Sequence, residues 1–153
     1  MYIKNLETII NILEEKIENN KFIEYGYFIA VESQKYNYEI KFKKEIINNN
    51  LNSKKTPNLI IPKMESYYFL KWCSINNYIP MIIHTHPYYL KDACISFSNQ
   101  DYAFNNSFIK LGKKLGLSKY IFFVTNCIKY QIDYYDEVLK YRKLGDIKNV
   151  KEK

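Results

Sequence analysis

The sequence predicts an α/β (α+β) domain, one mixed β-sheet flanked by helices. Three observations lead there. Apolar stripes at helical spacing alternate with β-branched and aromatic runs. Helical segments fall between several of the strands. The length, 153 residues, suits one domain with a real core.

Each element follows from its pattern. "NLETIINILEEKIEN", 5–19, spaces Leu6, Ile9, Ile10, Leu13 and Ile17 by three and four, one apolar stripe with acids between. "KFIEYGYFIAVES" is β-branched and aromatic and reads as a strand through Val31. "KYNYEIKFKKEI" alternates polar and apolar, a half-exposed strand pairing with the previous one. "INNNLNSKKTPN" is polar and turn-rich, a loop. "LIIP" is a short strand ended by Pro62, and "KMESYYFLKWCSINN" a helix burying Tyr68, Phe69, Trp72 and Cys73. "MIIH" is a buried strand that runs into His84. "SNQDYAFNNSFIKLGKKLG" is a helix with Phe104, Phe108, Leu111 and Leu115 inward, stopped at Gly116. "KYIFFVTN" and "IKYQIDYY" are two strands joined near Cys127, and "DEVLKYRKL" is a final short helix. The domain is expected over 1–144, with a polar tail over 145–153.

Composition narrows the class. Hydrophobic residues make up 47% and charged residues 25%, ordinary for a soluble globular chain. The abundant Tyr, Phe, Asn, Ile and Lys share AT-rich codons and are discounted as a functional signal. The net charge is +7, but the lysines are spread thinly, a solvated surface rather than a nucleic-acid groove. Three distant cysteines form no CxxC pair, so neither a disulfide framework nor a cysteine zinc knuckle is expected. The opening "MYIKNLETII" lacks an apolar signal-peptide core, and no run approaches the ~20 residues of a membrane span. A cytoplasmic protein with no membrane partner is the expectation.

The chemistry concentrates in "IIHTHPYYLKDACISFSNQD", Ile82 to Asp101, which holds both histidines of the chain. On a strand, residues two apart face one side, so His84 and His86 can project into one cleft. Paired neutral imidazoles are the usual start of a zinc site. Ser98 and Asp101 form a capping-box pattern and so also serve simply to start a helix. The two roles are compatible, because a helix N-terminus favours the ionised carboxylate that a metal needs. His84, His86 and Asp101 supply three ligands, leaving a position for water, as in catalytic zinc. A glutamate must then act as base. Glu24, two residues before Gly26, is one candidate, and Glu32 on the same strand face is the other. They stand roughly 26 Å apart along a strand, so only one can serve.

A glutamate before a glycine-containing strand, His-x-His-Pro at a later strand end, and Ser-x-x-Asp opening a helix together resemble the JAMM motif of the JAB1/MPN metalloprotease family. The resemblance covers roughly 6–135 and includes the order of elements. It implies a cytidine-deaminase-like JAB/MPN fold of the compact prokaryotic type. It implies that His84, His86 and Asp101 bind Zn²⁺, that Glu24 is the base, and that Ser98 helps stabilise the oxyanion. The implied activity is cleavage of isopeptide or peptide bonds after the C-terminal tail of a ubiquitin-like modifier, in deconjugation or precursor maturation. The implied setting is a bacterial ubiquitin-like conjugation or anti-phage defence system, with E1-like and E2-like enzymes as partners. A non-catalytic MPN scaffold is the alternative within the same family. One departure is visible: eleven residues separate His86 from Ser98, four more than in the commonest form of the motif. A surface loop absorbs that length at small cost, and it brings Asp92 and Cys94 forward as outside candidates for ligands.

Overall fold

A computed structural model describes residues 2–20, 23–47, 59–86 and 96–151. The elements run β1 (Ile3–Lys4), α1 (Leu6–Asn19), β2 (Gly26–Ser33), β3 (Tyr38–Ile46), α2 (Lys63–Asn76), β4 (Ile79–Thr85), α3 (Asn99–Lys114), β5 (Lys119–Thr125), β6 (Lys129–Asp136), β7 (Val138–Asp146) and α4 (Ile147–Lys151). The strands form one seven-stranded sheet in the order β1-β3-β2-β4-β5-β6-β7. Pairing is parallel for β1 with β3 and for β4 with β5, and antiparallel elsewhere. The expected mixed sheet flanked by helices is therefore present.

Alternation along the strands divides the core into two layers. Ile29, Val31, Met81, Ile83, Ile121 and Phe123 point to one face, where the stripe of α1 (Leu6, Ile9, Ile10, Leu13) meets them. Phe28, Ala30, Ile82, Phe122 and Val124 point to the other face, against Phe69, Leu70 and Cys73 of α2 and Phe108 and Ile109 of α3. The central strands are buried on both faces, which explains why β4 and β5 read as continuous apolar runs.

Four expectations need correction. "LIIP" is not a strand: Pro62 is the N-cap of α2, and the Leu59 N–H goes to a side chain instead of a ladder. Tyr68 and Trp72 are exposed, and the buried face of α2 is Ser66, Phe69, Leu70 and Cys73. Trp72 lies instead against Phe42 and Tyr78 at the surface. "DEVLKYRKL" is the edge strand β7, turned back on β6 through Glu137 at φ 69°. Its Lys and Arg residues, which read as helix formers, are the charges that guard a sheet edge. A boundary at 144 falls inside β7, and the stretch expected as tail carries α4. Ile147 there is buried in the α1 layer, and Lys151 pairs with Glu14 at 2.7 Å. In α3, Phe108 is buried while Phe104, Leu111 and Leu115 are only partly so. Residues 87–95, with Asp92 and Cys94, lie outside the described residues, as do 48–58.

Gly112 is set by close packing. A Cβ there would strike the ring of Tyr120, whose hydroxyl donates to the carbonyls of Ile109 and Leu117. Gly112→Ala is predicted to destabilise the fold by about 1–3 kcal/mol, the usual cost of overpacking. A urea-unfolding midpoint equal to that of the wild type would contradict this.

Candidate metal centre

The site forms where β4 ends. Gly26 of β2 pairs with His84 of β4, so the residues just before β2 lie beside those just after it. Two further bonds extend that pairing: Thr85 N–H donates to the Tyr25 carbonyl at 2.8 Å, and Tyr25 N–H donates to Thr85 Oγ1 at 2.9 Å. On the other side, His86 N–H donates to the Thr125 carbonyl of β5 at 2.9 Å. Both histidines are thus held by backbone on two sides, and both are buried. Their rings lie 5.2 Å apart between centroids, on the face that carries α2 and α3.

Asp101 arrives from the first turn of α3. Ser98 is the N-cap, and the capping box is complete: Asp101 N–H donates to Ser98 Oγ at 3.1 Å, and Ser98 N–H donates to Asp101 Oδ2 at 2.8 Å. This fixes the carboxylate so that Oδ1 lies 3.3 Å from His84 Nε2 and Oδ2 lies 3.0 Å from His86 Nε2. Burial opposes ionisation of Asp101. The charge of nearby His84, the bond to His86 and the Ser98 N–H outweigh it and hold the carboxyl well below its usual range. Phe97, buried just before the cap, packs its ring 6.1 Å from that of His84 and 5.6 Å from that of Tyr102.

These three residues fit a divalent cation. Their ligand atoms all lie within 4.8 Å of one another. His84 Nε2 is buried and, despite its nearness to Asp101, makes no well-formed hydrogen bond. A buried nitrogen left without a proper partner is costly, and a metal bond would satisfy it. Cys73 and Cys127 do not belong to this group, whose members among the described residues are His84, His86 and Asp101.

The structure separates the two candidate glutamates. Glu24 sits at the histidine end of β2, with Oε1 accepting the Leu59 N–H at 2.8 Å. Glu32 pairs with Glu39 at the opposite end, roughly 20 Å from Gly26 along the strand. Burial raises the Glu24 carboxyl above its ordinary value. His84, the Leu59 N–H and His86 pull it back in part, and Asp101 adds to the rise. Ser98 is exposed, with its oxygen accepting the cap bond.

Three contributors, Leu59, Gln131 and Asp133, are not visible from the motif. Leu59 holds Glu24 by its backbone. Gly26 is needed because a Cβ would collide with the Leu59 side chain and crowd the Ile83 carbonyl. Behind Tyr102, Gln131 Nε2 reaches the Tyr102 hydroxyl at 3.3 Å and Asp133 Oδ1 at 3.0 Å. Asp133 is fully buried and takes both arms of the Arg142 fork, at 2.8 and 2.7 Å. The glycine that opens β2, Gly26, is the one clue in the sequence to this shell.

Two outcomes follow. A carboxyl raised on folding takes up a proton between its unfolded and folded values, so its contribution to stability falls as pH rises through that window. Glu24→Gln is therefore predicted to make the chelator-treated protein more stable than the wild type above the ordinary carboxylate range, the gain vanishing toward acid pH. Thermal melts across that pH range that run parallel would contradict it. Ser98→Ala should cost about 1 kcal/mol through loss of the cap, read from urea unfolding; an unchanged midpoint would show the cap bond to be dispensable.

No protein-family model matches the chain, and no curated protein matches it, so the reading of this centre stands on its residues.

Proposed function

We propose that the chain is a JAMM-type zinc metallo-isopeptidase that cleaves after the C-terminal tail of a ubiquitin-like modifier. The observation that carries this reading is the convergence of His84, His86 and Asp101 on one point, with Glu24 at the same sheet end. Two imidazoles and one carboxylate suit Zn²⁺ among the common divalent ions. The bound ion supplies Lewis-acid chemistry, making a water acidic and polarising the scissile carbonyl.

The chain's own residues do the rest. Glu24, its carboxyl raised by burial and oriented by the Leu59 N–H, accepts a proton from the attacking water and delivers it to the leaving amine. Because its oxygen already accepts the Asp101 N–H, the Ser98 hydroxyl has its own proton to donate to the oxyanion of the substrate. Asp101 stays ionised under the pull of the two histidines and the helix cap. E1-like and E2-like enzymes that would conjugate such a modifier are the partners proposed with this activity.

The test uses protein purified without chelator. Metal analysis is expected to find close to one zinc per chain. Glu24→Gln should retain that zinc and lose about 10²–10⁴-fold in cleavage of a ubiquitin-like protein fused through its tail to a reporter. Absence of zinc, with none taken up on addition, would overturn the reading. Full activity in Glu24→Gln would remove the glutamate from its role.

A further inference from the structure

A second feature lies away from the metal ligands, between α2 and α3. There a groove of about 420 Å³ is lined by Ile61, Lys63 and Ser66 on one side and by Phe104, Lys110 and Lys114 among others on the other. The size is in the range of small-molecule sites. Its α3 wall is one helical face, since Phe104, Ser107, Phe108, Leu111 and Lys114 recur at spacings of three and four.

Three observations point to an anion. Lys63, Lys110 and Lys114 line the groove, no acidic side chain lines it among the described residues, and none of the three lysines has an ion pair there. The N-terminus of the fourteen-residue α2 opens beside Lys63 with Pro62 as N-cap and no side-chain cap, and the one acid of its first turn, Glu65, lines a separate pocket with Phe42 and Trp72. Most tellingly, Ser66 is 4% exposed and its Oγ has no hydrogen-bond partner. A helical serine usually returns its hydroxyl to the carbonyl one turn back. Here only the Ser66 backbone N–H reaches Pro62, at 3.1 Å. A buried donor left unpaired is destabilising unless something completes it.

We propose that this groove binds a small phosphate-bearing organic molecule. The phosphate lies among Lys63, Lys110, Lys114 and the α2 N-terminus, with the Ser66 hydroxyl donating into the site. Three cations and a helix end exceed what a single carboxylate would neutralise, while a phosphate dianion matches them. The apolar body rests on Phe104, Leu111 and Ile61. This site is independent of the metal centre and does not rest on the isopeptidase reading.

Calorimetric titration of the full chain, in chelator, tests it with adenosine 5′-monophosphate, inorganic phosphate and adenosine. The monophosphate is expected to bind saturably at one site, more tightly than either fragment. The pair Lys110→Ala with Lys114→Ala should weaken it at least tenfold. The control pair Lys140→Ala with Lys143→Ala, on the exposed edge strand β7, should change it less than twofold. Ser66→Ala should melt no lower than the wild type without ligand, yet bind the monophosphate at least threefold more weakly. Absence of saturable binding, or equal losses in the two lysine pairs, would overturn the proposal. Inorganic phosphate or a hexaglutamate peptide binding as tightly as the monophosphate would overturn the assignment to an organic phosphate.

Discussion

The carboxylate of Asp101 is the point on which the centre depends. It accepts from the Ser98 N–H, which ties it to the start of α3, and it faces the Nε2 atoms of His84 and His86, which ties it to the end of β4. One group thus joins a helix terminus to the end of the central strand. Neither element alone would hold the geometry. The helix supplies the field that keeps the carboxylate charged, and the strand supplies the spacing that turns both imidazoles to one side. Everything beyond that contact serves to keep the two elements in register. Phe97 packs behind His84, the β2–β4 pairing brings in Glu24, and the Arg142–Asp133 pair anchors Gln131 beneath Tyr102.

The centre is built at a cost to stability. Glu24 is half-buried as a carboxyl, His84 Nε2 lacks a good partner, and Asp133 is fully enclosed. Buried ionisable groups seldom improve on apolar packing. Their concentration at one end of an otherwise apolar sheet is the pattern expected where function, rather than folding, selects the residues. The other end of β2, around Glu32 and Glu39, shows no such cluster among the described residues.

Much of this was legible in the sequence, and the reasons differ by element. The stripe of α1 and the apolar runs of β2, β4 and β5 are strong periodic signals, and they match the observed elements. The His-x-His spacing and the Ser98–Asp101 cap are local patterns, so one strand and one helix start sufficed to read them. The failures are at edges. β7 was read as a helix because an edge strand buries little and its Lys and Arg mask alternation. Tyr68 and Trp72 were read as buried because α2 carries apolar residues on more faces than it buries. The choice between Glu24 and Glu32 could not be made without the register, because it turns on which end of β2 meets His84. Leu59, Gln131 and Asp133 are long-range partners that no local pattern discloses.

The central claim is that His84, His86 and Asp101 hold one divalent ion. The most direct measurement is a crystal of protein loaded with zinc, with diffraction recorded on both sides of the zinc absorption edge. The account predicts a single strong anomalous peak bonded to His84 Nε2, His86 Nε2 and an Asp101 carboxylate oxygen, at the ~2.0–2.2 Å of zinc to nitrogen and oxygen. A peak held by other side chains, or no peak with the Asp101 carboxylate still hydrogen-bonded to His86 and facing His84, would contradict it.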